Sequence, residues 1–239
     1  MKQAVGQTTW QGLPALQLES ETLRAVVVPE VGAKLVSLFD RRNGTEWLVA
    51  PGEKPLRPVP YGAPFVDQDM SGWDEMFPTI ATCHYPAPGA HQGVLLPDHG
   101  EVWALPWSVV LSSPDQLALA VEGRALPYRL SRTLTFTATD TLQLAYELTN
   151  TGSDSLAYLW AAHPQFDCGD GLEVLLPAHV RRVVNSLPAE WGGANRERNM
   201  AGQKPPTRTA GRCVSMRSAR LHSDAPGNSS SPRTRPSTV

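Results

Sequence analysis

Residues 128–150 read YRLSRTLTFTATDTLQLAYELTN. Laid out as extended chain, Leu130, Leu134 and Phe136 fall on one side and Arg129, Ser131, Thr133 and Thr135 on the other. After the turn Ala138-Thr139-Asp140-Thr141, the residues Leu142, Leu144, Tyr146 and Leu148 repeat the alternation against Gln143, Glu147 and Thr149. Successive side chains of a strand point to opposite faces of its sheet. A period of two therefore predicts two antiparallel strands with one buried face. Asn150-Thr151-Gly152 then turns the chain into a further expected strand, in which Leu156, Tyr158 and Trp160 alternate.

The same grammar runs outward from this pair. Leu23 to Val28 and Lys34 to Phe39 read as strands around Pro29-Glu30-Val31-Gly32, and Asp40 to Gly44 as a turn before Glu46-Trp47-Leu48. Trp107-Val109-Leu111 and Leu117-Leu119-Val121 pair across Ser113-Pro114-Asp115-Gln116. No capped apolar stripe of helical period is present. Many short strands without intervening helices predict an all-β antiparallel sandwich. Pro51 to Pro64 is a proline-rich loop long enough to cover or line something.

The domain is expected over residues 1–200. Residues 201–239 hold seven Ser, five Pro, four Thr and six Arg, with few large apolar side chains. Such a segment cannot bury enough surface to offset its ordering entropy, so it is expected to be a disordered tail. Its abrupt onset near Met200 also matches a coding segment read out of phase, with the last strands of the sandwich missing. A sandwich lacking them exposes ladder edges, so poor solubility is expected unless the tail, a partner chain or a homo-oligomer covers that edge.

Charge divides at the same place. The first 200 residues carry fourteen basic and twenty-two acidic side chains, the tail seven basic and one acidic. An acidic body argues against nucleic-acid or membrane partners. Cys83, Cys168 and Cys213 are an odd set without ligand spacing, and the N-terminus lacks a signal-peptide core. Both features point to a reducing cytoplasm.

Chemistry concentrates in two segments, Pro97-Asp98-His99-Gly100-Glu101-Val102-Trp103 and Trp160-Ala161-Ala162-His163-Pro164. Histidine is the side chain best suited to exchange protons near neutral pH. Asp98 or Glu101 is placed to orient the His99 ring. Pro164 ends a strand just past His163, at a rim where pockets form. Aromatic faces suit sugar rings and carboxylates suit hydroxyl groups. Cys83, His84, His91 and His99 match no compact metal-ligand motif, so no metal is expected. Asp74 and Glu75, adjacent on a strand, should point to opposite faces, leaving one as a hydroxyl ligand. Arg57, Arg124 and Arg132 are scattered, which gives little support to a phosphate site.

The chain resembles the aldose 1-epimerase (galactose mutarotase-like) family. The resemblance rests on Leu23-x-Ala25-x-Val27-x-Pro29-Glu30-x-Gly32-Ala33, Gly44-x-Glu46-Trp47-Leu48, Gly72-Trp73-Asp74-Glu75-Met76-Phe77-Pro78, Pro97-Asp98-His99-Gly100-Glu101-x-Trp103 and His163-Pro164-x-Phe166, in order. It implies a β-supersandwich that binds a free aldose and interconverts its anomers by acid/base ring opening, without metal or organic cofactor. On that basis His163 is the general acid at the ring oxygen and His99 binds and polarises the same region. Trp73, Asp74, Asp98, Glu101 and Trp103 are the expected substrate-binding residues. The family's glutamate base lies downstream of the second histidine, whereas here no glutamate follows Glu197 and Asp224 is the only later carboxylate. The resemblance therefore implies a slow or inactive epimerase, or a non-catalytic carbohydrate-binding protein with the same cleft.

Overall fold

The computed structural model describes residues 4–167 together with two short paired strands, Arg182–Val184 and Glu197–Asn199. The expected boundary at residue 200, the tail, Cys168 and Cys213 lie outside the described residues. The strands are β1 (Ala4–Trp10), β2 (Leu13–Glu19), β3 (Leu23–Val28), β4 (Lys34–Asp40), β5 (Thr45–Glu46), β6 (Trp73–Met76), β7 (Cys83–His84), β8 (Leu95–Leu96), β9 (Ser108–Ser112), β10 (Gln116–Glu122), β11 (Tyr128–Ala138), β12 (Thr141–Asn150) and β13 (Ala161–Pro164). One antiparallel sheet runs β1-β2-β3-β4-β6-β13, with β5 on the far part of β4. A second runs β12-β11-β10-β9, and β7-β8 is a small hairpin.

The two larger sheets pack face to face, as the alternation predicted. Val27, Leu35, Leu38 and Trp73 from the first meet Leu117, Leu119, Leu130, Leu134 and Phe136 from the second in one apolar cluster. Each such side chain, fully buried, contributes about 1.5–3 kcal/mol. Arg132 interrupts this stripe. It lies at an inward position of β11 between Leu130 and Leu134, fully buried. Its Nη1 is 3.0 Å from Oε1 of Glu75 on β6, and Nη2 donates to the Ala33 carbonyl. Tyr146 from β12 and Trp160 Nε1 also donate to the Glu75 carboxylate, at 2.5 and 3.1 Å. A charged network thus bolts the two sheets together through the core, and Arg132 is withdrawn from any phosphate-binding role.

One buried face suffices for β11 but not for β3 and β4. Val26, Val28 and Val36 point away from the sandwich and form a second cluster with Ala15, Val31 and Leu56. Leu56 belongs to the proline-rich loop, which therefore covers the outer face of the large sheet. The loop leads into a short 3-10 turn, Phe65–Asp67, whose Phe65 is buried. This outer face carries the candidate site.

The strand expected over Leu156 to Trp160 begins only at Ala161. The preceding backbone is held by loops instead: Ala157 N donates to the Tyr85 hydroxyl and Leu159 N to the Pro78 carbonyl. Tyr158, Leu159 and Trp160 are exposed, and the inward residues of β12 are only half-buried. Among the described residues, β12 and β13 are margins of their sheets.

Candidate active site

His163 is the third residue of β13, which pairs antiparallel with β6 and sets His163 opposite Asp74. Alternation then fixes the neighbours. Asp74 and His163 share the outer face, while Trp73 and Glu75 turn into the sandwich. His99 arrives from a different part of the chain, in the turn after β8. Its φ is +59°, the left-handed region that few side-chain-bearing residues occupy. Gly100 follows at φ +75°, and a Cβ there would overlap the Phe77 backbone. Glycine thus lets the turn lie against β6, where Glu101 N donates to the Phe77 carbonyl at 2.8 Å.

Three aromatic contacts draw the histidines together. The His99 ring stacks on Phe65 with centroids 4.2 Å apart and planes 7° from parallel. His163 meets the edge of Phe65 at 5.2 Å and that of His99 at 5.4 Å, in each case nearly perpendicular. Asp98 holds the other side. Its Oδ1 lies 2.8 Å from His99 Nδ1, and its Oδ2 accepts from the Phe65 backbone N–H at 3.2 Å. An ionised carboxylate only accepts, so this bond assigns a proton to Nδ1 and leaves Nε2 for a ligand. The His99 side chain keeps 25 % exposure and Asp98 36 %, so the pair is open to solute.

Beneath the rings lies a buried ionic cluster. Lys34 Nζ is 2.6 Å from Asp69 Oδ1 and 3.1 Å from Asp74 Oδ2, and all three side chains are fully buried. Ser71 Oγ donates to the second oxygen of Asp69. Burial pushes the Asp74 carboxyl up, against the downward pull of Lys34. His163 is pulled down by burial first, then by His99 and Lys34.

The structure thus gathers four of the expected residues, His99, His163, Asp98 and Asp74, on one face. Three others lie elsewhere. Trp73 faces the sandwich core, where its ring is 6.2 Å from Phe166, because its neighbour Asp74 takes the outer side. Trp103 is buried under the His99 turn. Its Nε1 donates to the carbonyls of Asp98 and Gly100, and its ring sits edge-on to Phe65, so no face is free for a sugar. Glu101 is fully buried and accepts from Tyr61 and Tyr128 hydroxyls and from the N–H groups of Arg124 and Ala125. Those four donors fill its lone pairs, so it ties the His99 turn to the β10–β11 connection rather than contacting a ligand.

Phe65, Lys34 and Asp69 were not picked out from the sequence. Lys34 left a readable signal, a cation inside the apolar run Val31 to Phe39. Phe65 left none, since it follows an unpatterned loop. Among the described residues no group of three or more His, Cys, Asp and Glu side chains could hold a metal, and no helix is long and apolar enough to cross a membrane. A separate cavity of about 140 Å³, lined by Tyr85, His91, Leu126, Asp154 and Leu156, contains neither site histidine.

No protein-family model and no curated protein matches the chain. Solved structures do. A galactose mutarotase-like protein from Lactobacillus casei aligns at 20% identity with a TM-score of 0.51, over 66% of this chain and 51% of its own. The protein HI1317 aligns at 18% identity and TM-score 0.50, over 89% of this chain and 70% of its own. A galactose mutarotase related enzyme from Lactobacillus acidophilus aligns at 11% identity and TM-score 0.50, over 70% of this chain and 51% of its own. The described chain is an all-β antiparallel sandwich of the galactose mutarotase-like fold. It spans about half the length of the Lactobacillus proteins it matches.

Proposed function

We propose that this chain carries an aldose 1-epimerase-like site that binds a free aldose and interconverts its anomers by opening the ring. The observation that supports this most is the pair of imidazoles with ring centroids 5.4 Å apart on the outer face of a mutarotase-like sheet. Each has a carboxylate beside it, Asp98 bonded to His99 and Asp74 across the ladder from His163. Ring opening needs a proton delivered to the ring oxygen and another removed from the anomeric hydroxyl. His163 delivers the first. His99, its Nδ1–H engaged by Asp98, binds in the same region, its Nε2 accepting from a sugar hydroxyl. The anomeric proton passes to water or to a base outside the described residues, which makes the reaction slow. No metal or organic cofactor takes part. The free thiol of Cys83 fits a reducing compartment, and we place the protein in the cytoplasm.

Polarimetry of freshly dissolved α-glucose and α-galactose tests the reading, with His163→Asn and His99→Asn as controls. The expected result is decay faster than buffer that either substitution abolishes. The consumption of Glu101 by four protein donors favours one other reading, a carbohydrate-binding protein without turnover. That reading requires calorimetric binding of hexoses with no change in polarimetric rate. Absence of both binding and acceleration would defeat the sugar assignment altogether.

A further inference from the structure

Packing fixes the plane of the His99 ring but not its sense. The ring stacks on Phe65 at 4.2 Å and 7° from parallel, and that contact survives a half-turn about the Cβ–Cγ bond. The half-turn would exchange Nδ1 with Cδ2 and carry Nε2 to the other edge of the ring. Asp98 decides between the two. Its Oδ1 lies 2.8 Å from Nδ1, a bond that Cδ2 in the same place could not make. The residue is itself anchored at both ends. Its Oδ2 accepts from the Phe65 N–H at 3.2 Å, and its carbonyl accepts from Trp103 Nε1 at 3.0 Å.

The chemical consequence lies on the far side of the ring. Which imidazole nitrogen carries the proton is set by the bond the other one makes. With Nδ1–H given to Asp98, a neutral His99 keeps a lone pair at Nε2. Among the described residues nothing bonds that atom, and the side chain retains 25 % exposure. The His163 ring stands edge-on with its centroid 5.4 Å away, and burial favours its neutral form. As the acid of the pair, His163 presents a donor. The outer face therefore offers one donor and one acceptor, and the acceptor suits only a ligand group with a proton to give.

We propose that Asp98 is a positioning residue that sets the specificity of this site: by holding His99 as the Nδ1–H tautomer it makes Nε2 an acceptor, so that the site selects an aldose whose non-anomeric hydroxyl donates to His99. This rests on the reading of the site as a sugar site. A ring substituent that only accepts, such as fluorine or an ionised phosphate oxygen, meets a lone pair there and is repelled. Discrimination comes from that repulsion as much as from the bond to the correct group. The second oxygen of Asp98 holds the Phe65 backbone, so the residue that chooses the tautomer also seats the aromatic ring on which His99 lies.

The test compares the full chain with Asp98→Asn by nuclear magnetic resonance of ¹⁵N-labelled histidine, at pH 8, above the usual histidine range. The carboxamide has the size of the carboxylate but only one oxygen. That oxygen must accept from the Phe65 N–H, because the opposite orientation sets two donors face to face. The amide NH₂ then donates to Nδ1 and moves the imidazole proton to Nε2. Expected are an Nδ1–H tautomer at His99 in the wild type and an Nε2–H tautomer in the variant, with the Phe65 amide equally protected from hydrogen exchange in both. Calorimetry with glucose, galactose and their deoxyfluoro derivatives completes the test, since fluorine cannot donate. Fluorine at one position should weaken wild-type binding by about tenfold, and in the variant by less than about twofold. An Nε2–H tautomer or a doubly protonated His99 in the wild type would overturn the proposal. So would a variant that keeps Nδ1–H, or fluorine penalties identical in the two proteins. If neither hexose binds the wild type, the sugar reading has failed, and the tautomers alone still decide whether Asp98 holds His99 as an acceptor.

Discussion

Replacing Arg132 by methionine should unbalance the buried bridge between the sheets. Arg132 and Glu75 have no exposed side-chain surface, and among the described residues the guanidinium is the only cation in hydrogen-bond contact with the carboxylate. Methionine fills much of the volume next to Trp107, whose ring now lies 5.6 Å from the guanidinium carbon. It leaves Glu75 with only the Tyr146 hydroxyl and the Trp160 indole. Removing one partner of a buried pair costs about 3–5 kcal/mol, because the survivor is an uncompensated charge. The cost should depend on pH with a definite sign. Burial already raises the Glu75 carboxyl in the folded protein, and loss of Arg132 removes the largest of the effects opposing that rise. A folded-state carboxyl raised above its unfolded value makes the native state bind more protons between the two. The penalty is therefore smallest near pH 4.5, grows as pH rises, and levels off above the folded value. Urea midpoints at pH 5 and pH 8 would measure this, with the loss larger at pH 8. The double variant Glu75→Leu with Arg132→Met should recover most of the stability, since apolar replacement of a whole buried pair is often neutral. A single-variant loss below about 1 kcal/mol at both pH values, or a double variant no better than the single, would refute the argument.

Glu101→Ala should destabilise by about 3–5 kcal/mol, because it strands the buried Tyr128 hydroxyl, the half-buried Tyr61 hydroxyl and two backbone N–H groups at about 1–3 kcal/mol for each that stays dry. Thermal denaturation measures it, and sugar affinity per folded molecule should change little. Phe65→Ala removes the ring on which His99 stacks and should cost about 3–5 kcal/mol. The His99 ring resonances should then broaden or shift while those of His84, far along the chain, stay put. Leu159, 57 % exposed beside Tyr158 and Trp160 at the margin of the large sheet, is the residue we expect to drive self-association. Leu159→Glu should lower the sedimentation coefficient at high protein concentration and leave the urea midpoint unchanged.

Period-two patterning was enough to establish the β11–β12 hairpin and the sandwich class, because alternation is a local property of extended chain with one dry face; the β3–β4 and β9–β10 pairs were read as well, although β3 and β4 are dry on both faces and β9 is exposed along its length. It failed over Leu156 to Trp160, where the same alternation exists but the backbone N–H groups find Tyr85 and Pro78 instead of a ladder. No residue within that segment distinguishes the two outcomes. Both histidines and Asp98 were legible, since their residue types and order carry the family resemblance. The roles of their neighbours were not. Trp73 and Asp74 are adjacent in the chain, yet strand pairing sends one into the core and the other to the histidines. Glu101 is a carboxylate next to a site histidine, yet four donors from distant segments consume it. Lys34 and Asp69 become a pair only when β4 and the loop before β6 are laid together. Which face a strand residue occupies follows from local period. What waits for it there is set by contacts tens of residues away, and only the folded chain supplies those.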